Sequence, residues 1–171
     1  TLRASTRMQK KRNTNMNIVI VGAGAIGSLF GALLAKNNSV VLVGRAPHIT
    51  AIQHNGLNIN GKTHLHVKLS AVESVKDIPI SPNLILLSVK SYDTETAIKH
   101  TVPLIQDETV VVSLQNGLNN IGKIKHIVDK DCIVGGVTTH GAIFSNPGVI
   151  KHTGKGKTIL GELDGIRSKR L

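Results

Sequence analysis

Aromatic side chains are nearly missing: the 171-residue chain has no tryptophan, one tyrosine and two phenylalanines. With 40% of residues hydrophobic, any core must therefore be built from Ile, Val, Leu and Ala. An aliphatic core of that kind fits a parallel sheet covered on both faces, whose central strands read as unbroken Val/Ile/Leu runs. The chain has a single cysteine, Cys132, which excludes an internal disulfide and favours a reducing, cytoplasmic setting. Acidic residues are also scarce: 10 Asp and Glu stand against 21 Lys and Arg, for a formal net charge of +11. That excess suits an anionic ligand.

Five of the basic residues, Arg3, Arg7, Lys10, Lys11 and Arg12, fall in residues 1–15, where no acid occurs. This stretch is expected to be a disordered basic leader or a cloning remnant outside the fold. A nucleic-acid-binding tail is disfavoured, because no aromatic residue is interleaved with the charges and no nucleic-acid motif is nearby. Residues 18–35 carry no charge and follow the basic stretch, as in a signal peptide or membrane span. Gly22, Gly24, Gly27 and Gly31 interrupt that run where a strand should turn into a helix, so no membrane segment is expected.

The glycines define the central motif. Asn17-Ile18-Val19-Ile20-Val21 reads as a buried strand, and Gly22-Ala23-Gly24-Ala25-Ile26-Gly27 follows it. Residues 28–36 have helical spacing, and Val40-Val41-Leu42-Val43 reads as a second buried strand. A G-x-G-x-x-G sequence inside a β-α-β unit of about 30 residues is the dinucleotide-binding fingerprint. In that motif Gly22 permits the tight turn, Gly24 lets the backbone approach a pyrophosphate, and Gly27 lets helix and strand pack closely. The free N–H groups and positive end of the helix favour the phosphates. The alternative is a glycine-rich turn with no ligand.

Further along, residues 47–54 read as a short helix. Residues 57–62 and 64–69 read as a hairpin around Asn60-Gly61. Strands are expected at 83–89, 109–114 and 132–137, helices at 92–102 and 118–128, and short strands and turns at 147–160. Strands alternating with helices give an α/β fold, a Rossmann-type doubly wound and mostly parallel sheet. The domain is placed at 16–165, with 166–171 as the start of a helix or a linker. His64 and His66 share one face of a hairpin strand and are expected to be exposed. Together with His140 and His152 they lack partners at ligand spacing, so no metal site is expected.

Position 45 bears on the choice of cofactor. NAD-binding units place an Asp or Glu about 20 residues past the loop to hold the ribose hydroxyls. Here the second strand runs into Gly44-Arg45 with no acid. An arginine at that place can clamp a ribose 2′-phosphate through its planar fork, which favours NADP over NAD. The alternative is an arginine that simply faces solvent.

Four later stretches form an ordered set: Val89-Lys90-Ser91-Tyr92, Leu114-Gln115-Asn116-Gly117-Leu118, Gly136-Val137-Thr138-Thr139-His140-Gly141-Ala142, and Pro147-Gly148-Val149-Ile150 with His152-Thr153-Gly154-Lys155-Gly156. This set closely resembles the ketopantoate reductase (2-dehydropantoate 2-reductase) family over residues 16–171. The resemblance implies NADPH-dependent reduction of 2-dehydropantoate to pantoate, on the route to pantothenate and coenzyme A. Matched motif by motif, it implies that Lys90 lies near the nicotinamide end of the cofactor and that Asn116 touches both cofactor and substrate. It implies too that Ala142 closes against the cofactor and that Arg45 is the NADPH-phosphate arginine. On the residues alone, Lys90 has the alternative of an ordinary surface lysine, and Asn116-Gly117 reads as a turn.

The family's general-acid lysine belongs to a second, helical domain, which is expected to be absent here, so no catalytic residue is assigned in this chain. The full-length enzyme is expected to allow a homodimer. Two other readings stay open: a non-catalytic NADP(H)-binding fragment, and another Rossmann dehydrogenase such as an opine or polyol-phosphate enzyme. The Thr138-Thr139-His140 and Gln115-Asn116-Gly117 stretches argue against the latter.

Overall fold

A computed structural model describes residues 15–171; the basic stretch at 1–15 thus lies, but for its last residue, outside the described residues. Among the described residues, eleven strands and four α-helices are formed in the order β1 (Asn17–Val21), α1 (Ala25–Leu34), β2 (Ser39–Val43), α2 (Ala46–Asn55), β3 (Leu57–Gly61), β4 (Leu65–Val67), β5 (Ser70–Val72), β6 (Leu84–Leu87), α3 (Thr94–Thr101), β7 (Val110–Ser113), α4 (Asn120–Lys125), β8 (Ile133–Thr138), β9 (Gly141–Asn146), β10 (Val149–Gly154) and β11 (Thr158–Glu162). The main sheet has the order β11-β8-β7-β6-β1-β2-β5. All its pairings are parallel except β11 with β8, so the sheet is mostly parallel, as expected.

The β-branched runs explain why the central strands are buried on both faces. Ile18, Ile20, Val40 and Leu42 point into a core shared with Leu29 and Ala32 of α1 and Ile49 and Ile52 of α2. The intervening Val19, Val21, Val41 and Val43 point the other way, onto Ala97 and Ile98 of α3 and Ile124 of α4. Helices thus cover both faces, which is the doubly wound arrangement.

A second, four-stranded sheet, β4-β3-β10-β9, was not anticipated. Leu57 and Ile59 of β3 and Ile150 of β10 join the core that contains Leu29 of α1. Helix α1 is therefore sandwiched between two sheets, and a helix with that surrounding must be apolar all round. This explains the uncharged run at 18–35: it is a buried strand, a loop and a buried helix. Among the described residues no helix is long and apolar enough to cross a membrane.

Two expectations need correction. The 3–4 hairpin forms, but Asn60-Gly61 is not its two-residue turn. Ile59 pairs with Leu65, so the connection runs through residues 60–64. Gly61 instead ends β3 beside β10, at φ +87°, where a Cβ would stand 2.5 Å from the His152 carbonyl oxygen. The helix expected at 28–36 starts three residues sooner, so Ala25, Ile26 and Gly27 form its first turn. Of the two alternatives given for residues 166–171, a helix does not form there. Arg170 turns back to pair with Glu162 of β11, and its guanidinium also donates to the Asp131 carbonyl at 2.6 Å. Arg170 and Ser168, both hydrogen-bonded to the Glu162 carboxylate, hold its pKa down to about 2.

Candidate cofactor site

The C-terminal ends of four adjacent strands, β2, β1, β6 and β7, carry the candidate residues. The strand order reverses direction between β1 and β6, and such a switch point opens a crevice for ligands. The glycine loop begins there. Gly22 has φ +109°, and a Cβ on it would sit 2.6 Å from the Val89 amide nitrogen. A Cβ on Gly27 would stand 2.1 Å from the Gly22 carbonyl oxygen. Both glycines are demanded by the fold itself. Gly24 differs: it is exposed, and a Cβ there would meet nothing within 4 Å. The protein has no packing reason for that glycine, whereas a phosphate group approaching the backbone would supply one.

Gly24 is the N-cap of α1, yet no side chain caps the helix and its first turn contains no acid. The orphan N–H groups of that turn face outward with a positive potential, which fits a pyrophosphate. The loop is pinned on both sides. The Gly22 and Ala23 amides donate to the Val43 carbonyl at 3.0 and 2.9 Å. On the other side the Ser88 hydroxyl donates to the Gly22 carbonyl at 2.8 Å.

Arg45 follows β2 as the N-cap of α2. Its side chain is exposed and makes no salt bridge among the described residues. Gly44 packs against Ala23, where an added Cβ would lie 2.6 Å from the Ala23 Cβ, so Arg45 is held next to the glycine loop. Lys90 follows β6 and is exposed, leading into a 3-10 turn at Ser91–Asp93. Asn116 follows β7, also exposed, in a turn where Gly117 has φ +111°.

A polar network joins the last two loops. The Gln115 amide Nε2 donates to the Val89 carbonyl at 2.9 Å and to the Thr94 hydroxyl at 2.8 Å. The Thr94 hydroxyl is in turn 3.1 Å from Asn120 Oδ1, and Asn120 Nδ2 donates to the Asn116 carbonyl at 2.9 Å. Lys123 Nζ reaches the Ser91 carbonyl at 2.9 Å. A continuous set of contacts therefore runs from Arg45 through Gly22 and the 88–91 loop to Asn116.

Ala142 stands elsewhere, in β9 at the edge of the second sheet, paired with His152 of β10. It packs half-buried against the core around α1. His64 and His66 are exposed, as expected. His140 and His152, twelve residues apart, come together with ring nitrogens 3.1 Å apart, and His152 also meets the Thr63 hydroxyl at 2.9 Å. No group of three or more His, Cys, Asp or Glu side chains clusters as metal ligands would, among the described residues.

Sequence reasoning missed Ser88, Thr94, Asn120 and the structural part of Gln115. These residues act through long-range hydrogen bonds, and nothing in a Ser, Thr or Asn at a loop announces its partner. The one available signal was position: each lies within a few residues of Lys90 or Asn116.

Comparison with known proteins agrees with this fold. The family model for ketopantoate reductase PanE/ApbA matches residues 18–165. The 2-dehydropantoate 2-reductase of Pyrococcus abyssi is 48% identical over 147 residues, covering 85% of this chain and 47% of the relative. That of Halobacterium salinarum is 34% identical, covering 91% of this chain and 52% of the relative. Among solved structures, 2-dehydropantoate 2-reductase from Geobacter metallireducens superimposes with a TM-score of 0.83 at 29% identity, covering 91% of this chain and 52% of that one. A D-mandelate dehydrogenase solved with NADH and anilino(oxo)acetate superimposes with a TM-score of 0.79 at 34% identity, over 86% of this chain and 48% of that one. The chain spans about half the length of the curated relatives it matches. With the family model matched across nearly all the described fold, the chain belongs to the ketopantoate reductase PanE/ApbA family.

Proposed function

We propose that this chain is the cofactor domain of an NADPH-dependent 2-dehydropantoate 2-reductase, acting in pantothenate and coenzyme A synthesis. The observation that carries the reading is the pairing of an open Gly24 with an unpaired Arg45 at neighbouring strand ends. The first turn of α1 would hold the pyrophosphate through the Ala25 and Ile26 amides, with Ala23, whose own amide is bonded to the Val43 carbonyl, lining the loop beside it. Arg45 would take the ribose 2′-phosphate in a bidentate fork. Lys90 and Asn116 would flank the nicotinamide end, with Asn116 also orienting the substrate, and Ala142 would close against the cofactor. When bound, NADPH supplies a hydride.

The protein's share of the chemistry is placement and a proton, because the substrate carbonyl oxygen gains charge and needs an acid within reach. We assign that acid to a lysine outside this chain. The chain alone should therefore bind NADPH and turn 2-dehydropantoate over very slowly. Both are measured on one sample, by titration of NADPH fluorescence and by its steady-state oxidation. Failure to bind NADPH overturns the cofactor reading, and brisk turnover overturns the placement of the acid. Binding without any turnover, even in the complete reading frame, would favour a non-catalytic NADP(H)-holding module.

One observation favours a second reading, an NADH-dependent reductase of another 2-keto acid. The D-mandelate dehydrogenase solved with NADH is as similar to this chain as several of the reductases are. The basic residue at position 45 weighs against it, since NADH has no 2′-phosphate to pair with a cation.

A further inference from the structure

His48 is buried at 4% exposure, yet it belongs to none of the loops that line the site. It lies in the first turn of α2, three residues after Arg45, and its backbone N–H donates to the Arg45 carbonyl at 3.1 Å. Its ring makes two polar contacts in different directions. The Gly148 backbone N–H donates to Nδ1 at 2.9 Å, and Nε2 lies 3.0 Å from the Ser28 hydroxyl. A backbone N–H can only donate, so Nδ1 must be an acceptor. The neutral ring then carries its proton on Nε2 and donates it to Ser28.

Ser28 follows the glycine loop directly, and its own N–H closes on the Gly24 carbonyl at 2.9 Å. Gly148 is in the turn between β9 and β10, and Phe144 of β9 packs on the His48 ring at 4.6 Å. His48 therefore bolts the N-terminal turn of α2 to the N-terminal turn of α1, with the second sheet as a backstop. Those two turns carry the groups assigned above to the 2′-phosphate and to the pyrophosphate. The two phosphates hang on the 5′ and 2′ positions of one ribose, which bounds the distance between them, so the spacing between the turns must match that span, and a small misplacement weakens a bidentate contact.

We infer that His48 is a positioning residue for cofactor selectivity: by joining Ser28 to the Arg45 turn, it sets the distance at which Arg45 meets a 2′-phosphate. This rests on the reading of Arg45 given above. Burial also lowers the His48 pKa, in keeping with a ring that works in its neutral form.

The test compares the affinity of the chain for NADPH and for NADH. With no tryptophan in the protein, the fluorescence of the cofactor can be followed without interference. The two cofactors differ only in the 2′-phosphate, so a variant that is merely less stable shifts both affinities together. A variant that misplaces Arg45 lowers the NADPH-to-NADH affinity ratio. His48→Asn keeps an acceptor near Gly148 and loses the bond to Ser28. His48→Gln keeps a donor near Ser28 and loses the bond to Gly148. Ser28→Ala removes the partner with little change in volume.

The inference predicts that His48→Asn and Ser28→Ala each lower the ratio by roughly three- to tenfold, the range for one lost buried hydrogen bond. His48→Gln should retain most of it. In Arg45→Ala the further change Ser28→Ala should have no effect on the ratio, because the group being positioned is gone. A wild-type chain with no preference for NADPH would remove the Arg45 reading on which this rests. A wild-type preference that Arg45→Ala abolishes but His48→Asn and Ser28→Ala leave intact would overturn the role of His48 alone.

Discussion

Gly22, Gly24 and Gly27 look alike in the sequence, and the structure gives them different reasons for lacking a side chain. Gly22 and Gly27 are crowded by backbone within 2.6 and 2.1 Å of where a Cβ would be, while Gly24 faces open space. Gly22→Ala should therefore destabilise the fold by about 2 kcal/mol or more, through positive φ and overpacking. Gly24→Ala should cost about 1 kcal/mol or less in stability, as at other helix N-caps. It should instead weaken NADPH binding roughly tenfold or more, a loss of about 1.4 kcal/mol. Chemical denaturation and cofactor titration on the two variants separate these outcomes. His48 gives a second prediction at this scale. Burial lowers its pKa below the ordinary 6.5, so the unfolded chain takes up the proton first as the pH drops. Its stabilising contribution is complete above pH 6.5 and is lost as the pH falls below that value through the lowered pKa. Melting temperature followed from about pH 7.5 to about pH 5 should fall, and His48→Gln should flatten that part of the slope. The glycine roles were legible because the motif itself encodes them. The role of His48 was not, because its partners lie 20 and 100 residues away.

Among the elements, the strands of the parallel sheet were legible and the second sheet was not. β1, β2, β6 and β7 are aliphatic runs whose residues alternate between two cores, β8 begins with Ile133-Val134 in the same way, and that pattern is visible locally. β9 is half-buried only at Gly141 and Ala142 and exposed from Ile143 to Asn146, so no hydrophobic period marks it. β5 is three residues long. The parallel pairing of β3 with β10 joins segments about 90 residues apart, and no local pattern encodes such a partner. At the active edge, the loops after β6 and β7 are held by the bonds of Gln115 rather than by regular structure. Gln115→Ala leaves the Val89 carbonyl and the Thr94 hydroxyl without that donor, and should cost about 1–3 kcal/mol. Because those loops are proposed to flank the nicotinamide end, it should weaken NADPH and NADH in equal proportion. Denaturation curves and paired titrations check both parts, and a change in the NADPH-to-NADH ratio would contradict the division of labour between the two ends of the site.

For the molecule as a whole, the site is a row of strand-end loops tied to one another from Arg45 to Asn116, on a sheet whose order places them side by side. The sequence motifs named most of these residues one by one. Their alignment along β2, β1, β6 and β7 depends on the topology, which places β6, not β3, beside β1. The family suggests the chemistry of that row, and the cation at position 45 is the proposed determinant of its cofactor. The central claim is therefore one of selectivity, and paired dissociation constants for NADPH and NADH test it most directly, measured in one buffer for the wild-type chain and for Arg45→Ala. The account predicts that wild type binds NADPH at least roughly tenfold more tightly, as expected for a charge-assisted bidentate contact, and that Arg45→Ala brings the two constants together. Equal affinities in the wild type, or a preference that survives Arg45→Ala, would contradict it.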